Sequence, residues 1–330
     1  MKISILCFTV FSMVLFSSCS SNSDSPTNPT SPATNPAIEI SRTIVVDGLT
    51  RNFIVYVPET TTNQAKMPLL FVLHGGTGNP SGMITLANFK PIAEREKVIL
   101  VYPAGMVYPT STGGSWNDGR PTPANLNGVN DVNFFSSMID FMVANYNVNN
   151  LKVYSTGISN GGLMSARLGS ELSNKITAFA AVAASQETAI GNATTSTSVS
   201  RPVPALFIQG TLDPLLPFLG GGVNTGPSQT TGTVLSHTQV IAKWISVNNC
   251  APTPVLTNFP DIVTTDNCTA TKRVYTNPTT AIEVESIIVN GGGHTWPQGT
   301  QYIPISVIGE VNQDLNGCEE IWAFLKRFSR

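Results

Sequence analysis

Charge is scarce in this chain. Only 12% of its 330 residues are Asp, Glu, Lys or Arg, and the formal net charge is −2. Without a basic surplus there is no electrostatic footprint for nucleic acid. Histidine is scarcer still, with three in the whole sequence. No Cys-x-x-Cys pair and no His/Cys cluster is present, so no metal or other cofactor is expected. The apolar stretch at 3–16 stops short of the length that spans a bilayer. Gly, Pro, Ser, Thr and Asn are abundant instead, which suits a loop-rich exported protein.

The N-terminus points the same way. Lys2 precedes the apolar stretch, which runs out in Leu15-Phe16-Ser17-Ser18-Cys19. Residues 1–18 therefore read as a signal peptide of the lipoprotein kind, with Cys19 as the lipidated residue. Phe16 is unusual at its place and leaves ordinary signal cleavage open. Residues 19–36 are mostly Ser, Asn, Thr and Pro, too polar to order themselves, and read as a tether. The expected location is outside the cytoplasmic membrane, anchored through lipid or secreted. Residues 37–330 carry no further linker and read as one domain.

Within that domain, extended runs at 38–46 and 51–57 flank Asp47-Gly48 and predict an antiparallel hairpin. Apolar strands are expected at 68–74, 98–102, 151–156, 178–184, 203–209 and 281–289. Helices are expected at 89–96, 129–146, 233–247 and 315–328. Alternation of strand and helix predicts an α/β fold with a mostly parallel, doubly wound sheet behind the hairpin. The long loop at 103–127 is expected to form a functional rim. Cys250 and Cys268 close a polar loop and, in an exported protein, are expected to pair as a disulfide. Cys318 reads as a small buried residue.

Gly157-Ile158-Ser159-Asn160-Gly161 follows one of these strands and opens a helix. That setting predicts a nucleophile elbow, a tight turn that lifts a serine hydroxyl above the sheet edge. A serine needs a base, and the base needs an orienting carboxylate. Of the three histidines, His237 falls inside a predicted helix and His74 ends a buried strand beside Gly75-Gly76-Thr77, where an oxyanion hole is expected. His294 follows a strand through Gly291-Gly292-Gly293 and is the expected base. Asp213, after the 203–209 strand, is the expected carboxylate, with Glu187 as runner-up. Asp261 and Asp266 lie in the polar loop. The predicted triad is Ser159, Asp213 and His294, with backbone N–H groups of Asn160 and of Gly76 or Thr77 as oxyanion donors. His74, Trp116 and Trp296 are candidate substrate contacts, the two indoles through stacking on a ring or sugar face.

Together His74-Gly75-Gly76, Gly157–Gly162, Gly210-Thr211-Leu212-Asp213 and Gly292-Gly293-His294-Thr295-Trp296-Pro297 resemble the extracellular feruloyl esterase and poly(3-hydroxybutyrate) depolymerase-like α/β-hydrolases, carbohydrate esterase family 1. The likeness covers roughly residues 45–330. It implies the α/β-hydrolase fold and a monomeric serine esterase acting on feruloyl or acetyl esters of plant polysaccharide, or on a polyester. Ser159, Asp213 and His294 match the family's triad, and Trp116 an aromatic after its long loop. The polyester branch tends to carry cysteines where this chain has Gly76 and Ser115, which favours the polysaccharide side. A serine peptidase, and a polymer-binding lipoprotein with a dead site, are the competing readings.

Overall fold

The computed structural model describes residues 34–61, 63–108, 111–120, 128–187, 199–226 and 229–330. The expected signal peptide, Cys19 and all but the last residues of the expected tether lie outside them. Thr34 and Asn35, at the end of the predicted tether, form a short strand paired with Thr60–Thr61.

Ten strands make the main sheet: β1 (Ile38–Val46), β2 (Leu49–Val57), β3 (Met67–Leu73), β4 (Ile99–Pro103), β5 (Val148–Ile158), β6 (Ala178–Val182), β7 (Ala205–Gly210), β8 (Val255–Asn258), β9 (Thr269–Thr276) and β10 (Glu283–Asn290). Their order across the sheet is β8-β9-β10-β7-β6-β5-β3-β4-β2-β1. The six central strands, from β10 to β4, run parallel. The leading hairpin β1–β2 joins β4 antiparallel, as the Asp47-Gly48 turn predicts. At the opposite edge β9 and β8 add a second antiparallel pair. That pair lies partly in the stretch expected to be a disulfide-closed loop.

Continuous apolar strands of this kind are covered on both faces. In β3, Leu70 and Val72 enter one buried cluster, while Leu69, Phe71 and Leu73 enter another. Helices α1 (Pro80–Leu86), α2 (Lys90–Glu96) and α7 (Gly317–Leu325) pack on the first face. Helices α3 (Asp131–Asn145), α4 (Asn160–Glu171) and α5 (His237–Val247) cover the other. A short turn of helix, α6 (Ile305–Ile308), precedes α7. The expected start of α5 was Thr233, but the chain stays extended through Val234 in a hairpin with Gly221–Gly226. Ser236 then caps the helix, its hydroxyl accepting from Gln239 N–H while the Gln239 side chain returns to Ser236 N–H.

The expected disulfide is not formed. Cys250 and Cys268 are both free and buried. They belong to apolar clusters on opposite faces of the sheet, and the Cys250 thiol faces the carbonyls of Asn248 and Ile282. Cys318 is buried as predicted.

Candidate active site

Every predicted triad residue follows the C-terminal end of a parallel strand, the edge where open α/β sheets build sites. Ser159 follows β5 and caps α4 with φ 56° and ψ −124°. A positive φ at a residue with a Cβ stores strain of ~1–3 kcal/mol, held by the surrounding packing. Here Ser159 N–H donates to Val182 O at 2.9 Å, and Ser159 O accepts from Leu163 N–H at 2.9 Å. The flanking glycines are required by close approach. A Cβ on Gly157 would lie 2.7 Å from the backbone of Gly161, and one on Gly161 would lie 2.4 Å from His74 O.

Asp213 sits three residues beyond β7 and His294 four beyond β10. His294 Nδ1 meets Asp213 Oδ2 at 2.8 Å, with both side chains almost wholly buried. The other carboxylate oxygen, Oδ1, accepts from Leu215 N–H at 2.9 Å and Leu216 N–H at 2.8 Å. A buried carboxylate met by donors on both oxygens has its lone pairs satisfied without water. The Asp213 contact places the imidazole proton on Nδ1 and turns the Nε2 lone pair outward. The loop is tied down on its backbone as well. His294 N–H donates to Ile308 O, and the Tyr302 hydroxyl donates to His294 O at 2.9 Å.

The two other histidines do different work. His74 is buried, which pulls its pKa down to about 4 and keeps the ring neutral. Its Nδ1–H donates to Gly75 O and its Nε2 accepts from Gly105 N–H. His237 heads α5 rather than lying inside it, and burial pulls its pKa down to about 3. It bridges Gln209 and Ser286 and stacks on Phe218. Neither offers a free base.

The predicted substrate contacts do not lie on a surface. Trp116 is fully buried, its ring 4.8 Å from that of His74 and its Nε1–H donating to His74 O. Trp296 is buried against Phe89. An indole with no exposed face cannot stack on substrate, so both are core residues, and His74 is a brace for the glycine turn. Thr77 is likewise removed from the oxyanion donors. Its N–H already donates to Ser115 Oγ at 3.2 Å. Among the described residues no hydrogen bond is made by the N–H of Gly76 or of Asn160. Positions 76 and 115, where the polyester branch tends to carry cysteines, are neighbours: a Cβ on Gly76 would lie 3.8 Å from Ser115 Oγ.

Glu187, the runner-up carboxylate, stands elsewhere. Burial, then Asp118, pushes its pKa up to about 7, with Arg120 and Arg167 opposing. Asp118 and Arg120 carry no motif that marks them in the sequence, and Ser115 stands out there only as the place of an absent cysteine. Asp118 accepts from Arg120 and from Asn160 Nδ2, two residues beyond the indole that drew attention.

No family model matches the chain. It is 28% identical over 297 residues to NocK of Nocardia uniformis, which carries an esterase name, covering 88% of this chain and 83% of that one. It is 31% identical over 169 residues to a bifunctional acetylxylan esterase/xylanase of Neocallimastix patriciarum, spanning 51% of this chain and 22% of that protein. A feruloyl esterase B of Piromyces equi is 27% identical over 251 residues, 43% of its length. Among solved structures, an acetyl xylan esterase from Aspergillus awamori superposes with a TM-score of 0.55 at 16% identity, over 87% of this chain and 99% of that one. The chain has the α/β-hydrolase fold, and the relative that matches most of its length carries an esterase name. The esterase thus has the fold that its motifs implied. Among its described residues no helix is long and apolar enough to cross a membrane.

Proposed function

We propose that this esterase hydrolyses acetyl or feruloyl esters of plant polysaccharide, with Ser159 as nucleophile, His294 as base and Asp213 as its orienting carboxylate. The contact that carries the reading is His294 Nδ1 to Asp213 Oδ2 at 2.8 Å. It leaves Nε2 to accept the Ser159 proton as Oγ attacks the ester carbonyl. The N–H groups of Gly76 and Asn160 hold the tetrahedral oxyanion, each worth ~3 kcal/mol of barrier. His294 then protonates the departing alcohol and activates water against the acyl-enzyme. The substrate class rests on the names of the relatives, acetylxylan and feruloyl esterases.

The test is turnover of p-nitrophenyl acetate, methyl ferulate and a poly(3-hydroxybutyrate) suspension, wild type beside Ser159→Ala. Acetate or ferulate turnover that disappears in the variant is expected. Clearing of the polyester alone would replace the polysaccharide reading, and binding of xylan without turnover would make the protein a binder.

The same proposal places residues 37–330 as the catalytic domain, carried outside the cytoplasmic membrane by a signal peptide at 1–18, lipid on Cys19 and a tether at 19–36. Radiolabelled palmitate incorporated by the wild type and not by Cys19→Ser is the expected result. Label on neither would leave plain secretion.

A further inference from the structure

The two unpaired N–H groups come from different parts of the chain, Gly76 from the turn after β3 and Asn160 from the first turn of α4. Donors serve an oxyanion only when their spacing is fixed before the reaction. The segment from Ser115 to Asp118 touches both. On the β3 side, Ser115 Oγ accepts from Thr77 N–H, and Trp116 Nε1–H donates to His74 O at 2.8 Å. On the α4 side, the Asn160 side chain clamps the Trp116 backbone, Oδ1 accepting from its N–H at 2.7 Å and Nδ2 donating to its carbonyl at 3.0 Å. Asn160 Nδ2 also donates to Asp118 Oδ2 at 2.6 Å.

We propose that Asp118 is a positioning residue for the reaction: held by Arg120, it locks the Asn160 side chain against Trp116 and so sets the spacing of the Gly76 and Asn160 oxyanion donors. The inference rests on the function proposed above.

Asp118 cannot drift. Its Oδ2 receives Arg120 Nε at 3.0 Å and Nη2 at 2.7 Å, and its Oδ1 receives Arg120 N–H at 3.0 Å. Arg120 is itself anchored through Nη1 on Thr231 O at 3.0 Å. Both side chains are nearly buried, at 6% exposure for Arg120 and 0% for Asp118. A forked guanidinium fixes direction as well as charge, so the carboxylate presents Oδ2 to Asn160 along one line. Without it Nδ2 keeps only the Trp116 carbonyl, and the first turn of α4 gains freedom to rotate its leading N–H away from the oxyanion.

The experiment compares wild type, Asp118→Leu and Asp118→Asn. Readouts are kcat and KM on p-nitrophenyl acetate, inhibition by an aryl trifluoromethyl ketone, and thermal melting. The ketone adduct carries the same oxyanion as the transition state. For Asp118→Leu, kcat should fall ~10–100-fold, below the loss seen when a donor is deleted outright. KM should stay within about threefold, and ketone affinity should fall by the factor lost from kcat. Asp118→Asn keeps an acceptor oxygen for Asn160 and should recover most of the loss. Should Asp118→Leu not fold, Asp118→Asn and Arg120→Lys carry the same test, with a smaller parallel fall in kcat and ketone affinity. Melting temperature that drops while kcat and ketone affinity hold would make Asp118 a structural residue and overturn the proposal. A wild type inactive on esters would instead overturn the function, whatever Asp118 does.

Discussion

At the scale of single residues, three histidines in one chain meet three different fates, and burial alone does not separate them. His74, His237 and His294 are each 2% exposed. What separates them is the partner. His74 and His237 meet carbonyl, amide and hydroxyl groups, while His294 meets a carboxylate. Replacing Asp213 with Asn should therefore hold the ring in the wrong tautomer and lower kcat by roughly 10³–10⁴-fold with little change in melting temperature. A loss under tenfold would shift the orienting role elsewhere. The placement of Ser159, Asp213 and His294 was legible because each follows an apolar strand, and strand ends are visible in sequence. Trp116 and Trp296 were misjudged because an indole beside a site motif reads the same whether it faces solvent or core. The cysteines failed for a related reason. Cys250 and Cys268 are suitably spaced in sequence, but the sheet lies between them. Reducing agent should leave the melting temperature unchanged, and a drop of several degrees would restore the bridge.

At the scale of elements, the loop that carries Trp116 is tied to α3. Asp131, in its first turn, accepts on Oδ1 from Arg51 Nη2 at 2.6 Å and on Oδ2 from Asn117 N–H at 2.7 Å. Arg51 also lies 4.0 Å over the Phe134 ring. Asp131→Ala would leave a guanidinium that is 3% exposed with no counter-charge. Removing one partner of a buried pair costs about 3–5 kcal/mol, so urea unfolding should register a loss of that size. A change under about 1 kcal/mol would mean that Arg51 finds another acceptor. The central elements were legible because both-face burial writes continuous apolar runs. Strands β8 and β9 were not. Val255, Leu256, Thr257 and Asn258 are all exposed, so edge strand β8 has no buried face to impose an alternating pattern.

At the scale of the whole molecule, titration of buried groups sets the pH range of stability. His74 and His237 have folded pKa values of about 4 and about 3, lowered chiefly by burial. An unfolded histidine titrates near 6.5, so below that the unfolded chain takes up two protons that the native state refuses. Their contribution is complete above pH 6.5 and is lost as pH falls, at up to ~1.4 kcal/mol per unit for each ring. Glu187 acts with the opposite sign. Its folded pKa of about 7 lies above the carboxylate norm, so the native state keeps a proton that the unfolded chain gives up. That contribution is present below the unfolded value and is lost as pH rises towards 7. Burial raises the pKa of Glu285 as well, so it acts on the side of Glu187. The two histidines, whose values are displaced furthest, still make the protein weaken in acid. Glu187→Gln removes one opposing group and leaves Glu285 in place. It should stabilise the protein at pH 8 more than at pH 5 and steepen the acid loss, as read from urea unfolding at both values. Equal effects at the two pH values would mean that Glu187 titrates as an ordinary surface carboxylate.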